Sequence, residues 1–317
     1  MSAATMMIAA ADARGDSSEA LKDLGRRYWD AYLEHHPTLA TSLGDYRFND
    51  RLEDLGAASR GRWQQQLRKF HAELRKLPSS KLSEEDRLTR ALLERTLSDA
   101  MLLFECRLFL TPLDPLYGPH IRFPLILVSQ PFGSAEDFRN YVSRLRAFPE
   151  QVRSMIADMR TGVAAGITSP RIIVEKVIPQ IRAHIVAEPR KSEFYKPIAK
   201  ATNLGLSPDE RVRLEADVVA AIQNDVVPAF LQLLAFVEDD YIHKCRSTVG
   251  LGAIKNGDRA YQALTRIYTT VPITVDEIHG IGLDEVRRLR GEMEKVRGEM
   301  GFEGDLEAFI QPIGEGP

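Results

Sequence analysis

The chain has 317 residues, of which 44% are hydrophobic and 27% are charged, and its formal net charge is -3. This composition is typical of a folded globular protein, and the weak negative charge offers no basic surface, so we expect no nucleic-acid partner. No run approaches the ~18 apolar residues that cross a bilayer, so we predict no membrane span.

The first sixteen residues differ from the rest of the chain. Met1–Ala11 is small and apolar but follows no Lys or Arg, so it does not form a complete export signal. We predict that residues 1–16 are disordered or are the remnant of a targeting segment, and that residues 17–317 form one helical domain. The localisation stays open, because the sequence as written indicates a cytoplasmic protein, whereas a start further upstream would indicate export.

Helical periodicity begins at Ser18, which we predict to cap a helix that ends before Pro37. Ser59 and Ser83 are predicted to cap two further helices, and Asp86 supports the second cap. Apolar residues recur at steps of three and four in both helices. We therefore predict that the two helices pack as an antiparallel hairpin.

The segment Thr111–Gly133 has no helical period and contains five prolines. Proline removes a backbone donor and fixes φ, so we predict an extended segment that crosses the helices. It carries His120, Arg122 and Gln130, and a rigid loop of this kind often lines a cleft. The alternative is a simple connector that is packed by its apolar residues, Phe123, Leu125 and Leu127.

The second half of the chain is also helical. Ser134 predicts one helix start, and Pro149 predicts the start of a separate helix. Gly162–Gly166 predicts either a close helix contact or a helix end. Ser207 marks the strongest helix start, and its helix is predicted to bend at Pro228. The predicted fold is all-α, an elongated multi-helix array of antiparallel helices with one Pro-rich extended crossing segment.

The most regular helix is predicted to begin after Thr274, which forms a capping box with Glu277, and to end at Gly301. We predict that its apolar residues face inward and that a neighbouring backbone approaches Gly282. For His279 we favour a buried, hydrogen-bonded histidine over a functional one. These inward positions recur at steps of four and three and comprise Val275, His279, Gly282, Val286, Leu289, Met293, Val296 and Met300.

Patterns that hold metals or perform catalysis are absent from the sequence. No two of the seven histidines are four residues apart, so no helical turn presents a histidine pair, and no His-Glu-x-x-His motif occurs. The two cysteines are too few for a cysteine zinc site or a disulfide framework. We therefore predict no catalytic residue and no metal ligand from these patterns.

Several segments nevertheless resemble a known bacterial family. The similar segments are Gly162–Arg171, the Ala229–Tyr241 helix end, Tyr261 with Leu264 and Thr270, and above all Glu277-Ile-His-x-x-Gly-Leu-x-Glu-Val286. In this order they resemble the domain-of-unknown-function family DUF885, which is grouped with the zincin clan of zinc peptidases and is often described as lipoproteins or carboxypeptidases.

The resemblance implies a helical zinc peptidase whose zinc-binding His-Glu-x-x-His helix lies in the C-terminal half. Because this chain ends at Pro317, the resemblance implies that it corresponds to the N-terminal half. It implies no cofactor in this chain, and zinc only where a second polypeptide supplies the other half. It also implies that His279, Tyr261 and Arg171 match motif positions and face the substrate cleft.

These expectations lead to two main functional hypotheses. The first is a helical scaffold and substrate-cleft wall of a zinc metallopeptidase-like protein, inactive alone, with a second polypeptide and a peptide substrate as partners. The alternative is a stand-alone helical module that binds peptides or proteins. A metal-independent hydrolase that uses His279 with Asp276 is a third and weaker hypothesis.

Overall fold

The computed structural model describes residues 3–201, 204 and 206–314, and these residues form an all-α fold without a β-strand. The predicted fold class is thus confirmed. The chain divides into two compact units, Met1–Gly257 and Asp258–Pro317. The α-helices are α1 (Ala3–His35), α2 (Pro37–Ser42), α3 (Ala57–Lys76), α4 (Glu84–Cys106), α5 (Pro119–Arg122), α6 (Ile126–Ser129), α7 (Ala135–Ala165), α8 (Arg171–Ala183), α9 (Lys196–Lys200), α10 (Pro208–Ala221), α11 (Val227–Phe236), α12 (Gly257–Thr269), α13 (Val275–Glu299) and α14 (Leu306–Gly314).

Helices α1, α3 and α4 pack together around a small apolar core. Helix α1 begins at Ala3, upstream of the start predicted at Ser18, and so includes residues 3–16. Helix α3 begins two residues before Ser59, with Gly56 as its N-cap, and Ser59 is itself buried. Ser83 caps α4 as predicted, because its hydroxyl accepts the Asp86 N–H. The core of the three helices contains Leu21, Leu24, Tyr28, Trp63, Leu67, Phe70, Leu74, Leu82 and Leu97.

Helix α7 is the centre of the main core of the first unit. The predicted capping box of Ser134 and Asp137 starts it. The break predicted at Pro149 is wrong, since α7 continues through this proline to Ala165. A proline inside a helix costs about 3 kcal/mol. Burial of the apolar residues on both sides of it offsets that cost, because Phe148 and Val152 are fully buried.

A second long helical stretch, Pro208–Lys244, packs in the same core. The Ser207 capping box starts it as predicted. It contains α10, α11 and two π-helical turns, Ile222–Val226 and Val237–Tyr241. The first π turn lies just before Pro228, where a bend was predicted. By length and composition this stretch is apolar enough to cross a membrane. Its apolar residues pack in the main core, and the absence of a membrane span stays a prediction.

The Pro-rich segment differs from its predicted extended form. Its middle part is helical, with α5, a 3-10 turn at Phe123–Leu125 and then α6. The two prolines in this part, Pro119 and Pro124, stand at the first positions of their turns. A proline there loses no hydrogen bond, because the first N–H groups of a helix have no partner within it.

Both alternatives for Gly162–Gly166 are found in the structure. A Cβ atom on Gly162 would lie 2.5 Å from the Ile167 carbonyl oxygen and 2.9 Å from that of Leu110, so the neighbouring backbone needs a glycine here. Gly166 has a φ of 71° and ends α7, which is a conformation that glycine adopts readily.

A buried arginine on α7 joins this helix to the loop that precedes α3. Arg144 is fully buried, and its guanidinium donates hydrogen bonds to Thr41 Oγ1 at 2.6 Å, to the Arg51 carbonyl at 2.8 Å, and to Gln130 Oε1. It also donates to the carbonyls of Pro37 and Phe48, each at 3.2 Å. Burial lowers the pKa of Arg144 to about 10, so it stays charged at neutral pH.

The second unit contains α12, α13 and α14. Helix α13 starts with the predicted capping box of Thr274 and Glu277, and Gly301 has a φ of 65° just past its end. The inward face predicted for α13 is wrong, because none of its residues is buried. Its partner helices in the unit are short, with 13 residues in α12 and 9 in α14. No atom lies within 4 Å of a Cβ built on Gly282, so the predicted close approach is not found there.

Candidate functional site

Two adjoining cavities lie in the first unit, with volumes of about 880 and 530 Å³. Helices α1, α3 and α4 line the first cavity, and α1, α3, α7 and the Pro-rich segment line much of the second. We call the two cavities together the aromatic cleft. The volume of each cavity is in the range of ligand-binding pockets. Residues common to both cavities are Tyr32, His36, Arg60, Trp63, Phe104 and Phe109.

The rings of the cleft are stacked on one another around Trp63. The His35 ring lies 4.7 Å from Trp63 with an interplanar angle of 17°. Tyr28 stacks on Trp63 at 6.5 Å, and Tyr32 stacks on Trp29 at 5.8 Å. Trp29 and Trp63 are the only tryptophans of the sequence, and both line the first cavity. Ligand binding in this cavity would therefore change the intrinsic fluorescence of the protein.

The two adjacent histidines of the cleft are held neutral at physiological pH. Burial lowers the pKa of His35 and of His36 to about 4. His36 also lowers the pKa of His35, and the nearby Arg122 guanidinium lowers that of His36. Neutral imidazoles present one donor and one acceptor nitrogen each, so they are available to hydrogen-bond a ligand.

An ion pair between Arg60 and Asp158 forms part of the cleft wall. The side chains are 16% and 11% exposed, and Arg60 Nη1 lies 2.7 Å from Asp158 Oδ2. The Arg60 guanidinium also lies 4.3 Å from the centre of the Phe109 ring. Burial raises the pKa of Asp158, although Arg60 acts in the opposite direction. The pair joins α3 to α7 across the cleft wall.

The Pro-rich segment lines the cleft, as one of the two alternatives predicted. Tyr117 and Arg122 from this segment line the second cavity. His120 and Gln130 line neither cavity, and both are buried. His120 Nε2 lies 3.3 Å from Gln180 Oε1, and its Nδ1 has no partner among the residues that the structure describes.

The three site residues expected from resemblance lie outside this cleft. Arg171 starts α8 in the first unit, and its Nε donates to Glu175 at 3.1 Å. Tyr261 and His279 belong to the second unit, on α12 and α13. Both are exposed, so the burial expected for His279 is wrong. Their role in a substrate cleft stays a prediction.

The sequence matches one family over most of its length. The family of bacterial proteins of unknown function, DUF885, matches residues 37–317. The chain belongs to the DUF885 family. A search among curated proteins gives no match to this DUF885 chain.

Two solved structures are similar to this DUF885 chain. A candidate lipoprotein from Colwellia psychrerythraea has a TM-score of 0.80 and 17% identity, and the match covers 95% of this chain and 55% of that one. A candidate lipoprotein of unknown function from Shewanella oneidensis has a TM-score of 0.64 and 16% identity, covering 90% and 49%. The DUF885 chain thus spans about half the length of these structures. At these identities the likeness concerns the fold alone.

The described residues of this chain do not by themselves form a site that fits a zinc ion. Within the described parts of the DUF885 chain, no three His, Cys, Asp or Glu side chains come together to hold a metal ion. In the aromatic cleft, Asp158 is paired with Arg60, and the two imidazoles face aromatic rings. A zinc site needs three or four such ligands around one point. We therefore derive no reaction step through a metal.

Proposed function

We propose that this DUF885 chain is the helical scaffold and a substrate-cleft wall of a metallopeptidase-like protein, and that it does not cleave peptides alone. The observation that carries the proposal is the uncovered apolar face of α13. Its central residues repeat at steps of three and four and are 44–54% exposed, namely Val286, Leu289, Met293 and Val296. An apolar face of this length usually marks a surface that another polypeptide covers.

Covering this face with a partner would be energetically favourable. Full burial of one Val, Leu or Met side chain contributes about 1.5–3 kcal/mol. The four side chains are already half-buried, so covering them would contribute several kcal/mol. The two similar solved structures are longer than this chain, and about half of each has no counterpart in it. This difference in length supports a polypeptide as the partner.

A first experiment tests activity and metal content in the purified chain. We expect less than stoichiometric zinc by elemental analysis and no cleavage of a peptide library. One tightly bound zinc per chain together with peptide cleavage would overturn the proposal. Translation of the DNA that follows the Pro317 codon, in three frames, tests whether a His-Glu-x-x-His segment lies downstream.

A second experiment tests the apolar face itself. We expect the chain to bind a hydrophobic dye or to self-associate in light scattering. The double variant Val286→Glu with Leu289→Glu should reduce either signal, because it places two charges on the face. Arg290→Glu changes the charge of an exposed residue on the same helix and serves as the control. Equal signals from both variants would show that the face attracts no partner.

The alternative function is a stand-alone module that binds peptides or proteins. The aromatic cleft favours it, because all of its lining residues come from the first unit. The two functions differ in what completes the protein. A stand-alone module would bind its ligand with no second polypeptide, whereas a scaffold would gain peptidase activity when a polypeptide with a His-Glu-x-x-His helix is added.

A further inference from the structure

We infer that the aromatic cleft binds small zwitterions with an aromatic side chain, such as an aromatic amino acid or dipeptide. The aromatic ring would lie in the first cavity near Trp63, the ammonium group near Glu53, and the carboxylate near Arg122. This inference goes beyond the proposed function. The site lies within the first unit and requires neither a metal nor a second polypeptide.

The first argument is the composition of the cavity wall. Aromatic side chains make up much of the lining of the 880 Å³ cavity, among them the buried Trp63 and the half-exposed Trp29. Aromatic pairs gain free energy beyond burial when rings stack or meet edge to face. A ligand with an aromatic group is therefore favoured over an aliphatic ligand of equal volume.

The second argument is a carboxylate that has no cation partner. Glu53 lines the second cavity, and one of its oxygens, Oε1, accepts the Thr38 N–H at 3.1 Å and the Thr38 hydroxyl. Its main-chain carbonyl accepts Gln151 Nε2 at 2.8 Å. These three hydrogen bonds hold the residue in place, and Oε2 has no partner among the residues described.

The other carboxylates of the cleft already have cation partners. Asp158 pairs with Arg60, Asp99 pairs with Arg95 at 3.1 Å, and Asp54 lies 3.5 Å from Arg62. Glu53 is thus the carboxylate of the cleft that is left to bind a cationic group, as far as the described residues show.

The third argument is a guanidinium without a partner. Arg122 lies at the edge of the second cavity, and no described carboxylate lies within ion-pair distance of it. The Arg122 guanidinium lowers the pKa of His36, and the Glu53 carboxylate raises that of His35. The two imidazole rings are 4.9 Å apart. The cleft therefore presents one free negative and one free positive group near adjacent histidines.

A ligand with one group of each sign would complete both charges at once. A purely anionic ligand would be attracted by Arg122 but repelled by Glu53. A purely cationic ligand would be attracted by Glu53 but repelled by Arg122. An ionised group that is hydrogen-bonded to an ionised partner forms a stronger bond than a neutral pair does. The ligand class that satisfies both groups and the rings is an aromatic zwitterion.

The test uses the whole chain and diphenylalanine, the dipeptide of phenylalanine, as the probe. Binding is measured by titration calorimetry and by the fluorescence of Trp29 and Trp63. We expect saturable binding with a fluorescence change. Dialanine, which lacks the rings, should bind at least tenfold more weakly. No heat and no fluorescence change with diphenylalanine at millimolar concentration would overturn the inference.

Blocked probes identify the two charged contacts without any mutation. N-acetylation removes the ammonium group and C-amidation removes the carboxylate. Each should weaken binding about tenfold, the equivalent of 1.4 kcal/mol. Equal affinity of the blocked and free dipeptides would contradict the zwitterion, even if the protein variants failed to fold.

Two variants assign the contacts to residues. Glu53→Gln should weaken diphenylalanine but leave the N-acetylated probe unchanged, and Arg122→Gln should do the same for the C-amidated probe. Glu150→Gln and Arg153→Gln are the controls, since this exposed pair on α7 lies outside the cleft. Unchanged diphenylalanine binding by folded Glu53→Gln and Arg122→Gln would refute the assignment.

Discussion

The buried guanidinium of Arg144 gives the sharpest test of how the first unit is held together. Arg144→Met keeps most of the side-chain volume but removes every donor of the guanidinium. Five acceptors lose their bond, and three of them are main-chain carbonyls, those of Pro37, Phe48 and Arg51. All of these acceptors lie in other segments of the chain, so the substitution removes the hydrogen bonds that Arg144 makes between α7 and these segments.

The size of the effect follows from the unsatisfied acceptors. Each buried polar group without a partner costs about 1–3 kcal/mol. Some acceptors will find water or another donor, and the buried charge is also removed. We therefore expect Arg144→Met to lower the free energy of unfolding by about 3–5 kcal/mol, which is large for one substitution. Arg144→Lys keeps the charge and three donors, so its loss should be smaller.

The assay is urea unfolding followed by tryptophan fluorescence, with the slope m compared between variants. Arg146→Met is the matched control on the same helix. Arg146 is 53% exposed and lies 3.2 Å from Asp217, and such surface pairs contribute about 0–1 kcal/mol. If Arg144→Met stays within about 1 kcal/mol of the original chain at equal m, the buried guanidinium does not stabilise the unit as argued.

Two further predictions concern stability. Gly162→Ala should destabilise the chain by about 1 kcal/mol or more, because the new Cβ would meet backbone oxygens. Gly61→Ala, where a Cβ meets no atom, should stabilise it by about 0.5–1 kcal/mol. Thermal unfolding compares the two variants, and equal shifts in their unfolding temperatures would contradict the close contact at Gly162. Burial lowers the pKa of His120 to about 4 from its ordinary 6.5, so the unfolded state binds more protons between these values and stability falls as the pH drops through them. The urea midpoint should fall between pH 7 and pH 4.5, and this fall should be smaller in His120→Gln than in the original chain, by the equivalent of about 1–3 kcal/mol. His243→Gln, a substitution on the surface, should show the same fall as the original chain.

The sequence predicted the helix starts best, because a cap is a local interaction. Ser83, Ser134, Ser207 and Thr274 each cap the helix expected of them, and the backbone N–H that donates to each hydroxyl is only three residues away. The prolines were harder to interpret. Pro149 lies inside a helix because the packing on both sides of it offsets its cost, and packing is not visible in a local pattern.

The aromatic cleft could be predicted only in part. The helix that ends before Pro37 was predicted from the sequence, and the Pro-rich segment was one candidate for a cleft wall. The ion pair of Arg60 and Asp158 was not predictable, because the two residues are 98 positions apart. In the sequence pattern, each looks like an ordinary charged surface residue. The sequence signal that could have directed attention to the cleft is the His35–His36 pair just before Pro37.

The apolar period of α13 led to the opposite error. Its steps of four and three are those of an inward face, yet the face is exposed. Periodicity indicates that a helix has an apolar side, but it does not indicate what covers that side. The covering partner is determined by neighbouring elements, and the second unit has only two short helices beside α13.

The two π turns of Pro208–Lys244 explain how one helix keeps a single face against the core over 37 residues. Its buried residues include a row at steps of four, Leu214, Val218, Ile222 and Val226, and the buried face continues to Tyr241. A regular α-helix turns about 100° per residue, so each step of four overshoots a full turn by about 40°. Wider turns rotate less per residue and cancel this drift. An insertion or deletion within either turn would therefore rotate every later side chain away from the core, even where no buried residue is changed.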